Sequence, residues 1–336
     1  MEITVLLFLT SGLFLGWALG ANDAANVFGT AVGTHMIRFS TAAVICSVFV
    51  ILGAVNSGAG AAETIGKLGA IDALAGAFMA AFSAALAVYL MTKAGLPVST
   101  TQAIVGAIIG WNLFTATATD SAALTKILAT WVVCPVLAAA ISVGLYKVTM
   151  RLLASAKLHL LRTDAYTRLG LLVAGAFGSY SLGANNIGNV MGVFVPSSPF
   201  SDFTIAGLFT LSSTEQLFLF ASQGLEQFLA SYGLPTIPLV PVSSSQAVVG
   251  AVLGIAILNG GRGIRWRVLG GIGAGWVAAP AIAGVVCFIG LYFMQNVFDQ
   301  KVHAASPGSE QASMAWSAPS PLETEFDTLL QNRRAN

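Results

Sequence analysis

The chain has 336 residues, 56% hydrophobic and 9% charged, with a net charge of +1. Soluble domains carry about 25% charged residues and must keep their surfaces wetted, so this composition excludes a soluble globular protein and turns most of the surface toward lipid. The near-zero net charge argues against a nucleic-acid partner.

In chain order, the apolar stretches long enough to consider as membrane spans are 3–20, 40–60, 73–93, 98–114, 126–149, 166–182, 203–231, 242–260 and 268–296. A spanning helix needs about 20 mostly apolar residues. The first stretch has Glu2 as its sole early charge and runs into a polar motif, not a cleavage site, so it reads as a retained transmembrane helix and not a secretory signal. Glu63, Lys67 and Asp72 read as a solvated loop between spans. Stretch 203–231 holds Glu215, Gln216, Gln223, Glu226 and Gln227 and is expected to be broken or re-entrant, with the two glutamates facing water or lying on an ion path. Cys46, Cys134 and Cys287 sit in apolar runs as packing residues. From 301 to 336 the chain turns rich in Ser, Pro, Ala and Glu, the composition of a disordered tail.

Three segments recur in the same order. Gly20-Ala21-Asn22-Asp23-Ala24-Ala25-Asn26 returns as Gly183-Ala184-Asn185-Asn186-Ile187-Gly188-Asn189; Pro97-Val98-Ser99-Thr100-Thr101-Gln102 returns as Pro241-Val242-Ser243-Ser244-Ser245-Gln246; and Trp131-Val132-Val133-Cys134-Pro135 returns as Trp276-Val277-Ala278-Ala279-Pro280. Conserved order with matching polar positions indicates a duplicated unit. The division expected is a first transmembrane repeat over 1–149, a cytoplasmic linker over 150–165, a second repeat over 166–300 and the tail. Basic residues favour the cytoplasmic side. Arg38 follows the first motif in one copy, whereas Arg262, Arg265 and Arg267 follow the second motif in the other. Lys147, Arg151, Lys157, Arg162 and Arg168 fill the centre. These asymmetries fit a multi-pass protein of the cell (inner) membrane with both termini outside and two inverted repeats. The fold class expected is an all-α polytopic helical bundle with inverted repeats and broken or re-entrant helices.

The motifs suggest ion chemistry. Asp23, between Asn22 and Asn26, places a carboxylate in an apolar setting, which is costly without a partner. Gly20 permits a helix break that frees carbonyls, giving an oxygen cage suited to Na⁺ at Asp23 and Asn26. Asn185, Asn186 and Asn189 are the corresponding set of the second copy. Pro97 and Pro241 suit helix entry, with Ser99, Thr100 and Thr101, and Ser243, Ser244 and Ser245, at the caps. Two helix N-termini facing each other offer amides, hydroxyls and the Gln102 and Gln246 side chains to one tetrahedral oxyanion. The Trp131–Pro135 and Trp276–Pro280 segments shape helix kinks and packing.

Residues Gly20 to Asn26 and Pro97 to Gln102, each with its repeat, resemble the inorganic phosphate transporter (PiT) family. The resemblance spans residues 1–300 and implies cation-coupled uptake of inorganic phosphate by alternating access. It implies that Asn22, Asp23 and Asn26 serve the coupling cation, Na⁺ or H⁺, and that the six hydroxyl residues line the anion site, with no cofactor beyond that ion. The chain departs from the family at Asn186, where an aspartate is the rule. That exchange removes a negative charge, weakens a Na⁺ site or lowers the number of ions coupled, and leaves room for sulfate as an alternative cargo. A passive anion channel is a further alternative, though the ring of basic residues such pores often use is missing. An enzyme is disfavoured because His35, His159 and His303 lie outside the apolar stretches and form no metal or nucleophile cluster with the cysteines and carboxylates. A homodimer stays open.

Overall fold

The structure is a computed structural model that describes residues 3–69, 71–156, 159–197, 203–205, 209–211, 242–261 and 263–304. Helices α1 (Ile3–Leu19) and α2 (Ala25–Gly33) are joined by one π-helical turn over Gly20–Ala24. Then come α3 (Phe39–Ser57), α4 (Ala59–Gly69), α5 (Leu74–Lys93), α6 (Thr100–Thr115), α7 (Ser121–Ala156), α8 (Leu160–Met191), α9 (Ser244–Leu258) and α10 (Trp266–Asn296). Among the described residues, five segments are long and apolar enough to cross a bilayer: Val5–Gly33, Phe39–Ser57, Leu74–Lys93, Ser121–Ala156 and Trp266–Asn296. The protein is a multi-pass helical membrane protein.

The helix does not unwind at Gly20; it widens into a π turn that carries Asn22 and Asp23, and such turns recur at functional sites. The matching segment of the second copy stays α-helical to Met191. The expected loop around Glu63, Lys67 and Asp72 is largely helix α4, because Ile65 and Leu68 are one helical turn apart and both are buried. Lys67, on that helix, is exposed. The 150–165 segment is mostly helical, with α7 reaching Ala156 and α8 starting at Leu160. In stretch 203–231, Phe203–Ile205 pairs antiparallel with Phe209–Leu211 as a short hairpin, its aromatic and β-branched residues favouring extended backbone. Residues 212–231, with Glu215 and Glu226, lie outside the described residues, as does the tail from 305 onward. Residues 1–302 form one unit.

Lipid supplies no hydrophobic drive between helices, so close packing must. On α7, Val132, Val133, Val136, Leu137 and Ile141 are exposed, a face suited to acyl chains. The matching helices of the two copies cross over: α6 packs on α10 and α9 packs on α7. A Cβ at Gly106 would lie 2.2 Å from Pro280 O, and one at Gly250 would lie 2.2 Å from Pro135 O, so only glycine admits these crossings. Pro135 and Pro280 stand inside their helices at equivalent points. The first-motif helices run past each other in opposite directions. Gly12 abuts the Phe194 ring and Gly16 approaches Val190, whereas Val27 abuts Gly178 and Phe28 abuts Gly175.

Candidate functional site

The second motif begins two helices in the same way. Ser99, extended at φ −91° and ψ 119°, accepts from Gln102 N at 3.2 Å; Ser243, at φ −84° and ψ 106°, accepts from Gln246 N at 3.2 Å. Each serine satisfies one of the amides that a helix start leaves without a carbonyl of its own helix. The amides of Thr100 and Thr101, and of Ser244 and Ser245, are the remaining first-turn donors at the positive ends of α6 and α9.

The two helix starts interlock. Thr101 Oγ1 donates to Val242 O at 3.3 Å, and its counterpart Ser245 Oγ donates to Val98 O at 2.9 Å. The same carbonyls hold the first motif. Asn22 Nδ2 donates to Val98 O, and Asn185 Nδ2 donates to Val242 O at 2.7 Å. Val242 N returns a bond to Asn185 Oδ1 at 2.8 Å. The cation and anion candidates, separate in sequence, therefore form one polar cluster.

At the first-copy centre, Asp23 is 1% exposed. Its Oδ2 accepts from Thr100 Oγ1 at 2.7 Å and its Oδ1 from Asn22 Nδ2 at 3.1 Å, with the Ser244 hydroxyl a third hydrogen-bonding neighbour. All these donors are neutral, and neutral donors leave the charge of a buried carboxylate uncompensated. That oxygen-rich surrounding fits a hard monovalent cation. Asn26, expected beside it, keeps a buried Nδ2 without a partner.

In the second copy Asn186 Oδ1 accepts from Asn189 Nδ2 at 2.7 Å and from Asn185 Nδ2 at 3.4 Å. Asn189 Nδ2 also donates to Thr101 Oγ1 at 2.9 Å. Asn186 Nδ2 and Asn189 Oδ1 are buried without partners, and so are Gln102 Oε1 and Gln246 Oε1. Sequence reasoning missed the Val98 and Val242 carbonyls. They are backbone atoms, for which residue type gives no signal.

A model of the phosphate transporter family matches residues 19–167 and 231–325. The protein named "Putative phosphate permease MJ0630" from Methanocaldococcus jannaschii is 29% identical over 302 residues, covering 86% of this chain and 97% of that one. "Putative phosphate permease PYRAB14010" from Pyrococcus abyssi is 33% identical over 162 residues, a match covering 45% of this chain and 40% of that protein. A solved structure named "The sodium-dependent phosphate transporter" shares the fold, with a TM-score of 0.60 at 21% identity, over 86% of this chain and all of that one.

Proposed function

The chain belongs to the phosphate transporter family, and from that premise we propose that it imports inorganic phosphate across the cell membrane by symport with a monovalent cation. The observation that carries the reading is the reciprocal pair of bonds, Thr101 to Val242 O and Ser245 to Val98 O, which brings two helix N-termini to one point beside a buried carboxylate. Ser99, Thr100, Thr101, Gln102, Ser243, Ser244, Ser245 and Gln246 surround the anion, whose charge the amides and dipoles receive without a basic side chain. Asp23, with Asn22, holds the cation; the name of the similar solved structure favours Na⁺ over H⁺. The opposed course of α1–α2 and α8 supports two inverted repeats, which rock about the site for alternating access. The distribution of basic residues supports an orientation with the central segment inside and both termini outside.

Sulfate is the second reading. Hydrogen phosphate carries a proton that a carboxylate would accept, and Asn186 offers instead an amide donor without a partner. Uptake of labelled phosphate and labelled sulfate into proteoliposomes, with Na⁺ and proton gradients imposed separately, tests the proposal. Phosphate accumulation against its own gradient supports symport, sulfate accumulation in its place supports the second reading, and equilibration without accumulation identifies a channel.

A further inference from the structure

The two halves of the site carry the same motifs, yet their centres differ in charge, backbone and hydrogen bonding. In the first half Asp23 rides on a π turn, and both its oxygens face neutral donors. In the second half Asn186 rides on an unbroken α-helix. The third polar residue of the motif diverges too. Asn26 Nδ2 has no partner, whereas its counterpart Asn189, 0% exposed, spans from Asn186 Oδ1 to Thr101 Oγ1.

The orientation of the Asn189 amide follows from its neighbours. The Thr101 proton is committed to Val242 O, so Thr101 Oγ1 can only accept from Asn189. Asn186 Oδ1 already accepts from Asn185, so it too needs a donor from Asn189. Two hydrogens of Asn189 therefore fill the space between these two oxygens and leave neither of them facing a cation there. The unpaired atom that Asn186 presents is Nδ2, a donor that repels a cation and suits an anion oxygen.

We propose that the second half is a neutral, amide-plugged half-site, so of the two half-sites only that at Asp23 binds a coupling cation, and Asn186 donates to the anion. This inference rests on the cation role given to Asp23 above; it adds the count of cations and the chemical role of Asn186. The substitution Asn186→Asp exchanges the unpaired N–H for an unpaired, charged oxygen at the same place, and so creates a cation site in the second half.

Equilibrium binding of ²²Na⁺ to the purified, detergent-solubilised full chain reads the count directly, without depending on transport or on the identity of the anion. The expected result is saturation at one ion per chain for the native protein, loss of that ion in Asp23→Asn, and two ions per chain in Asn186→Asp. Asn186→Leu, which removes every polar atom at that position, keeps the single ion. Native saturation at two ions, no saturable binding, or a native ion that survives Asp23→Asn but is lost in Asn186→Leu overturns the inference. A second ion absent from a folded, monodisperse Asn186→Asp chain also overturns it. Phosphate uptake by the same preparations is measured separately: a chain that binds one Na⁺ but moves no phosphate or sulfate refutes the proposed function and leaves the cation count standing.

Discussion

The Thr100 hydroxyl donates to Asp23 Oδ2 at 2.7 Å across 77 residues of sequence. This bond ties the helix start proposed for the anion to the carboxylate proposed for the cation, and on that reading it links the occupancy of one to the other. A hydrogen bond to a charged group contributes about 1.5–3 kcal/mol. Thr100→Val keeps the shape and removes the donor; the half-saturating Na⁺ concentration for phosphate uptake is expected to shift by roughly 10- to 100-fold, with Thr100→Ser close to native. The carboxylate loses a donor but gains bare negative charge toward the ion, so the direction of the shift tells which effect wins. An unshifted Na⁺ dependence in Thr100→Val shows that the bond plays no part in coupling.

Asp23→Asn is nearly isosteric and keeps an oxygen acceptor for Thr100 while removing the charge. Accumulation of phosphate against its gradient is expected to be lost, with the amount of protein in the membrane unchanged, because an amide oxygen holds Na⁺ far less strongly than a carboxylate. Parallel measurement of uptake and of membrane-inserted protein separates coupling from folding. Native accumulation in the variant removes Asp23 from the mechanism.

Much of this site was legible because a duplicated motif reports on itself. One Pro-Val-Ser segment is an ordinary helix start, but Pro97-Val98-Ser99 and Pro241-Val242-Ser243 in the same order called for a shared purpose, and both caps form. The hydroxyls and amides were readable from residue type. Three things were not. The π turn at Gly20–Ala24 has no counterpart in the second segment, which shares the Gly-Ala-Asn start and remains α-helical, so the shared motif does not encode it. The Val98 and Val242 carbonyls belong to the backbone, where residue type carries no signal. The Asn189 to Thr101 bond joins positions 88 residues apart in different halves, a pairing no local pattern encodes. Loss of charge at Asn186 was visible in sequence; what fills the vacated place was not.

The capping serines carry a two-part prediction. Removing an N-cap side chain costs about 1 kcal/mol of stability. Ser99→Ala and Ser243→Ala are each expected to lower the melting temperature in detergent and to raise the KM for phosphate about tenfold, because the freed Gln102 or Gln246 amide lets the first turn fray where it should be rigid. The halves are matched, so the two variants should behave alike to within a few-fold. Melting curves and uptake kinetics on the same samples check this. A fall in stability with unchanged KM assigns the serines to capping alone.

Two helix crossings, α6 on α10 and α9 on α7, hold the two halves together. A Cβ on Gly106 meets Pro280 O at 2.2 Å, and one on Gly250 meets Pro135 O at the same distance. Both obstacles are backbone atoms of long helices, so relief requires the whole helix to move. Overpacking of this kind costs about 1–3 kcal/mol, and Gly106→Ala and Gly250→Ala are each expected to lower the melting temperature by on the order of 5 °C. Gly144→Ala and Gly270→Ala provide the contrast: a Cβ there meets nothing within 4 Å, and alanine is the better helix former. They should be neutral or slightly stabilising. The two crossings also set the spacing of the helix starts, since Gly106 and Gly250 lie less than two turns from Ser99 and Ser243. Phosphate affinity should therefore fall along with stability in the first pair and stay native in the second. Equal melting temperatures across all four variants refute the close approach of α6 to α10 and of α9 to α7.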